Sequence, residues 1–144
     1  MMRLFIDSSV LFSASYSARG YARDLIMRAL SGDVILVVSD LVLEETRRNI
    51  AQSSPENLPL LEFVLASIPF EVVRARKAQV LAASKYTELK DAPIAAAARH
   101  AGVDLLVTLD RKHLLNRPDL AKHVGADIVT PKEAVDRLSS EGEG

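Results

Sequence analysis

The 144-residue sequence contains no cysteine and no tryptophan. Without thiols there is no disulfide framework and no thiolate metal site, as suits a cytoplasmic protein. Aromatic residues make up only 5% of the chain, too few for a platform on which nucleic-acid bases stack. Charge of one sign is also lacking. The formal net charge is -1, so the chain as a whole carries no footprint of a general nucleic-acid binder, although a local basic patch remains compatible with it. No apolar run approaches the length of a membrane span. The run that ends at Asp7 is too short for a signal peptide, and no membrane association is expected.

What is present is enough apolar content, 49%, for one domain with one packed core. Residues 3–7 read as a buried strand, followed by a short helix from Ser9 to about Tyr16 and a break at 17–20. Ala22, Leu25, Ile26, Ala29 and Leu30 recur at helical spacing. Val34–Val38 is a continuous β-branched and aliphatic run of the kind that parallel strands covered on both faces require. A helix capped by Ser39 or Asp40 should run to about Ala51, with another over 58–67. A short strand at 70–73, a helix from Arg74 to about Lys85 and a helix from Ala92 to His100 follow. The pattern ends with a strand at 105–108, a short helical piece around 113–115, a strand at 128–129 and a helix through Leu138. Alternating strands and helices predict an α/β protein with a central, mostly parallel sheet and helices on both faces, in three α/β/α layers. The domain is expected to span 1–138, with a polar, disordered tail over 139–144.

Four acidic residues share one topological address. Asp7 follows strand one, Glu45 lies early in the helix after strand two, Asp91 opens a helix, and Asp110 follows the 105–108 strand. Strand ends and helix starts of this kind gather on one side of an open parallel sheet, where ligands bind. Each residue also has a plain structural reading. Asp7 could cap the following helix, as Ser8 or Ser9 could equally. Asp91 looks like a helix N-cap, and Asp110 could initiate the next helical piece. Glu45 falls at the border of the apolar face formed by Leu41, Val42, Leu43, Thr46 and Ile50, so it is the better candidate for a half-buried site, its plain alternative being an exposed helix charge. Glu44 falls nearly opposite, beside Arg47 and Arg48, as a solvated charge. Clustered carboxylates repel and raise one another's pKa unless a cation neutralises them. The cluster therefore predicts one or two divalent ions, Mg²⁺ or Mn²⁺ given all-oxygen ligands. His100, His113 and His123 show no zinc-site spacing. Ions held by carboxylates with open positions suit phosphodiester hydrolysis by an activated water.

The order and spacing of four motifs resemble the PIN domain, the fold of many metal-dependent ribonucleases and of VapC-type toxins. These are Phe5-Ile6-Asp7-Ser8-Ser9-Val10-Leu11, Ser39 with Glu45, Lys90-Asp91-Ala92-Pro93 leading into an alanine-rich helix, and Leu105-Leu106-Val107-Thr108-Leu109-Asp110 running on to His113-Leu114. The resemblance covers about residues 3–138. The third and fourth motifs look most like a branch of putative toxin components. It implies that Asp7, Glu45, Asp91 and Asp110 are the metal-binding catalytic carboxylates, with Asp7 and Asp110 as core ligands. Ser9, where the family often has Asn, and Thr108 would orient carboxylates or water. The implied activity is endoribonucleolytic hydrolysis leaving a 5′-phosphate. The implied partners are a small antitoxin and a second copy in a dimer. Ser8-Ser9 in place of Thr-Asn departs from the pattern around the ligands without altering the ligand set. Lys90 and Arg111, next to ligands, are the stronger candidates for RNA phosphate contacts, which position a strand without reading its sequence. The alternative is a PIN-fold module that binds RNA or protein without cleaving it. A receiver domain fits less well, because strand one ends in Asp-Ser-Ser and not in an acidic pair.

Overall fold

The structure, a computed structural model, describes residues 1–17 and 19–143. Strands β1 (Arg3–Ile6), β2 (Ile35–Ser39), β3 (Glu71–Val73), β4 (Leu105–Val107) and β5 (Asp127–Val129) form one sheet of order β3-β2-β1-β4-β5. Every pairing is parallel. The first strand is central, as its unbroken apolar sequence requires: Leu4, Phe5 and Ile6 are all fully buried. Burying one such side chain is worth about 1.5–3 kcal/mol, so this strand cannot lie at an edge without forfeiting most of the core.

Among the described residues eight α-helices surround the sheet: α1 (Ser8–Tyr16), α2 (Tyr21–Leu30), α3 (Asp40–Ser53), α4 (Leu58–Ser67), α5 (Lys77–Ala83), α6 (Ala92–Ala101), α7 (Pro118–Val124) and α8 (Pro131–Glu143). Helices α1, α2 and α8 pack in succession, as do α5, α6 and α7. This is the expected three-layer α/β/α arrangement, with a sheet that is wholly parallel among the described residues.

Three local expectations are corrected. The stretch around His113–Leu115 is a run of turns, not a helix, and residues 118–124, which showed no pattern of their own, form α7. Asn116 at φ 60° breaks the chain direction just before Pro118, which occupies the first turn of α7. The last helix runs to Glu143, past the end expected at Leu138. Its later turn is held where the Arg28 guanidinium donates to Ser139 Oγ at 3.2 Å. Residue 144 lies outside the described residues.

The topology fixes where ligands can go. From β1 the chain moves to β2 on one side, and β4 returns to pair on the other. The carboxyl ends of β1 and β4 therefore diverge at a topological switch point, where open parallel sheets leave a crevice. Asp7 and Thr108 are the first residues past those two ends.

Candidate functional site

The crevice is a cavity of about 300 Å³ lined by Asp7, Ser8, Ser9, Glu45, Lys90, Asp91, Ile94, Leu109 and Asp110. All four carboxylates singled out in the sequence line it. Four separate segments supply them: the β1–α1 junction, α3, the turn before α6, and the turn after β4.

Asp7 is buried, at 7% exposure. It is the N-cap of α1, where its Oδ1 accepts from the Ser8 amide at 2.7 Å. Its Oδ2 accepts from the Thr108 hydroxyl at 2.8 Å and from the Ser9 hydroxyl at 3.3 Å. Capping and placement in the cleft thus coexist in one side chain. Burial pushes the Asp7 carboxyl above its ordinary pKa, and the charge of Glu45 adds to this. The hydrogen bonds from Thr108, Ser8 and Ser9 oppose the rise without cancelling it.

Thr108 is fully buried. Its hydroxyl donates to Asp7 and accepts from the Asp110 amide at 3.0 Å. Ser9 makes a similar link, accepting from the Leu109 amide at 3.1 Å while it faces Asp7. These two hydroxyls join the end of β1 to the turn after β4.

Asp110 Oδ1 accepts from the amides of Lys112 and His113 at 3.1 and 3.0 Å, and Oδ2 lies 3.2 Å from His113 Nδ1. Partial burial works to raise its pKa, but the His113 amide and ring and the Lys112 amide outweigh it and hold the carboxyl below its ordinary value. Two carboxylates in one cleft are thus driven in opposite directions, by desolvation at Asp7 and by hydrogen bonding at Asp110.

Asp91 differs from its sequence reading. It sits at the N-cap position of α6 but makes no side-chain capping bond. The backbone turn at Glu88–Asp91 already has helical character, with the Asp91 and Ala92 amides both donating to the Glu88 carbonyl. The carboxylate is left free for other work. Its Oδ2 is buried and has no hydrogen-bond partner. Burial raises its pKa; Lys90 and His113 oppose this, and Asp110 and Glu88 reinforce it.

Glu45 is exposed, where half-burial was expected. The buried face of α3 is the narrower stripe Val42, Thr46 and Ile50, and Leu41 is 46% exposed. Glu45 still lines the cleft, whereas Glu44 pairs with Arg48 at 3.4 Å on the solvent side. Lys90 is exposed and lines the cleft. Arg111 is exposed on the adjoining turn and is not among the lining residues. Arg47 is ion-paired with Glu62 at 2.7 Å.

A carboxylate oxygen that is buried, unpartnered and beside other carboxylates is a group waiting for a cation, since an unsatisfied buried acceptor is costly. The donor set fits a hard divalent ion. Among the described residues, however, the three ligand-type side chains whose donor atoms all fall within 4.8 Å of one another are Glu88, Asp91 and His113. Sequence spacing did not bring out Glu88 or His113. Only the i, i+3 relations Glu88–Asp91 and Asp110–His113 hinted that each neighbours a candidate ligand.

The model of the PIN domain family matches residues 3–112. No curated protein matches the sequence significantly. Among solved structures, PAE2754 from Pyrobaculum aerophilum superposes with a TM-score of 0.67 at 18% identity, covering 96% of each chain. VapBC2 from Rickettsia felis, bound to a DNA fragment from its promoter, gives 0.63 at 13% identity, covering 90% of this chain and 98% of that one. FitAcB from Neisseria gonorrhoeae gives 0.60 at 16% identity, covering 89% and 97%. At these identities the likeness is one of fold.

Proposed function

The chain belongs to the PIN-domain family, and from that premise we propose that it is a metal-dependent endoribonuclease, the toxin of a toxin–antitoxin pair. The observation that carries this reading is the convergence of Asp7, Glu45, Asp91 and Asp110 on one cleft at the switch point of the sheet. A module that only binds RNA has no need to gather four mutually repelling carboxylates.

Asp7 and Asp110 would be the core ligands of a Mg²⁺ or Mn²⁺ ion. Asp91 would complete the first site or support a second ion, and Glu45 would close the cleft from α3. Such an ion, when bound, would supply neutralisation of phosphate charge and a lowered pKa for a bound water. The protein's own part is preorganisation. Thr108 and Ser9 fix the Asp7 carboxylate, and the Lys112 and His113 amides fix Asp110, so neither needs to reorient when an ion arrives. Lys90 stands at the rim, where an RNA phosphate would enter, with Arg111 on the turn beyond Asp110.

The likeness to VapBC2 and to FitAcB supports the antitoxin that the family resemblance implies as partner. Phe63 and Leu60 on α4, 67% and 37% exposed, offer an apolar surface that such a partner, or a second copy in a homodimer, would cover. No helix of the described residues is long and apolar enough to cross a membrane, and a cytoplasmic location fits the proposed role.

The test is cleavage of a mixed pool of structured and single-stranded RNAs with Mg²⁺, Mn²⁺ or EDTA, with the ends of the products mapped. The expected result is metal-dependent internal cuts bearing 5′-phosphates. RNA binding without cleavage under any metal would instead make the protein a non-catalytic member of its fold.

A further inference from the structure

We infer that the groove between α1 and α3 is a subsite for one unpaired nucleobase of the RNA, adenine before the others, beside the carboxylate cleft. The inference rests on the nuclease reading for its RNA, but its test reads binding and needs no cleavage.

The groove encloses about 520 Å³ and is lined by Ser8, Ser9, Phe12, Asn49, Gln52 and Ser53. That volume falls within the range of roughly 300–1,000 Å³ typical of small-molecule sites. Ser8 and Ser9 line the carboxylate cleft as well, and Ser9 Oγ lies 3.3 Å from Asp7 Oδ2. The two spaces therefore meet at these serines. Helical spacing carries both walls of the groove away from the cleft. On α3, Glu45 lines the cleft, and Asn49, four residues on, begins the groove with Gln52 and Ser53 beyond it on the same face. Each step is one helical turn, about 5.4 Å. On α1, Phe12 follows Ser8 and Ser9 in the same way. The two helices pack against each other. A strand with a phosphate in the cleft would lay a neighbouring base in the groove.

The lining chemistry selects the occupant. No charged side chain lines the groove, so a phosphate finds no partner in it. An aromatic ring, two carboxamides and hydroxyls are the set that recognises unpaired bases, by stacking and by hydrogen bonds to the base edge. Phe12 is half-buried and packs against the core. Tyr16, one turn further along α1, stacks on it with ring centroids 5.7 Å apart and planes 13° apart, and so braces the ring. One braced ring serves one base, where a run of bases would need a platform of several. Asn49 and Gln52 are exposed, with their carboxamides open to a ligand. A carboxamide sets a donor beside an acceptor and matches the N6 amine and N7 of adenine, whereas the O6 and N7 acceptors of guanine call for Arg or Lys.

Labelled single-stranded RNA hexamers of A, C or U would be titrated with the full chain in Ca²⁺ and followed by fluorescence anisotropy, with the RNA shown intact on gels. Wild type should bind the A hexamer tightest. Phe12→Leu keeps apolar volume and removes the ring, and should weaken that binding by about 5-fold or more, the lower end of base–aromatic stacking. The double variant Asn49→Ala with Gln52→Ala replaces exposed helix residues by a better helix former, so its circular dichroism should be unchanged. It should lose an adenine preference of about 5–150-fold, the range of one bidentate pair. No binding of any hexamer, equal affinity for all three in wild type, or an adenine preference unchanged in the double variant would each overturn the assignment, and the groove would then be left for a polypeptide. Adenine-preferring binding that depends on Asn49 and Gln52, with no cleavage in Mg²⁺ or Mn²⁺, would count against the nuclease reading alone.

Discussion

The Thr108 hydroxyl touches both Asp7, through its carboxylate, and Asp110, through its amide. It has one proton to give, and Asp7 receives it while the Asp110 amide occupies a lone pair. Thr108→Val keeps the shape and removes both bonds. It should cost about 1–3 kcal/mol of stability through the orphaned amide and carboxylate. It should lower activity roughly 10–100-fold, and Thr108→Ser should restore much of both; thermal melts and RNA cleavage would check this. The opposed environments of Asp7 and Asp110 give a second expectation, for protein stripped of metal. Asp7, with its pKa raised by burial, binds its proton more tightly in the folded state. Its favourable contribution is present below the ordinary carboxylate range and is lost as pH rises through the raised value, so Asp7→Asn should gain on wild type as pH rises from the ordinary carboxylate range through that raised value. Asp110 is lowered. Its contribution is present at neutral pH and lost as pH falls through the folded value, so Asp110→Asn should cost stability at neutral pH and little in acid. Denaturant midpoints across pH would show whether the two variants diverge in this way. Asp7, Asp91 and Asp110 could be read from the sequence because each follows a strand or opens a helix. His113 could not, because its partners Glu88 and Asp91 come from a segment more than twenty residues away and only the fold joins them. The exposure of Glu45 was hidden because Leu41 counted as part of the buried face, whereas it is 46% exposed and the buried stripe is only Val42, Thr46 and Ile50.

At the scale of elements, α6 does most to set the site. Ala92 and Ala95 to Ala98 are buried, and small side chains let the helix lie close against its neighbours and so deliver Asp91 to the cleft at its N-terminus. Ala97→Leu should therefore destabilise the protein by about 1–3 kcal/mol through overpacking. It should also reduce activity beyond what the lost stability explains, because Asp91 moves with the helix. Activity measured well below the melting temperature, beside the melt itself, separates the two effects. Gly102 closes this helix at φ 65°, a left-handed conformation that costs a side chain about 1–2 kcal/mol. The major strands and helices were legible from apolar runs and helical periodicity. Helix α7 was not, because it is seven residues long and buries only Leu120 and Val124, too few for a period to stand out. The turn at 111–116 carries the same apolar pair, Leu114 and Leu115, that a helix would, and the Asn116 conformation that ends it has no unambiguous sequence mark.

For the molecule as a whole, function follows from strand order more than from any one motif. Because β1 is central and β4 joins it from the side opposite β2, two strand ends diverge, and the residues just beyond them become neighbours across about a hundred positions of chain. The near-neutral chain has no general attraction for nucleic acid, so on the proposed reading an RNA would have to be drawn in locally, with Lys90 at the rim of the cleft as the nearest cation. The most direct measurement is RNA cleavage by purified wild type and Asp7→Asn side by side in Mn²⁺, with folding of both verified by circular dichroism. Glu44→Gln and Glu45→Gln would serve as an internal pair. The account predicts that Asp7→Asn folds and loses activity by about 10³-fold or more, the scale of removing a group that stabilises transition-state charge, and that Glu45→Gln is impaired while Glu44→Gln is not. Full activity in a folded Asp7→Asn would contradict it.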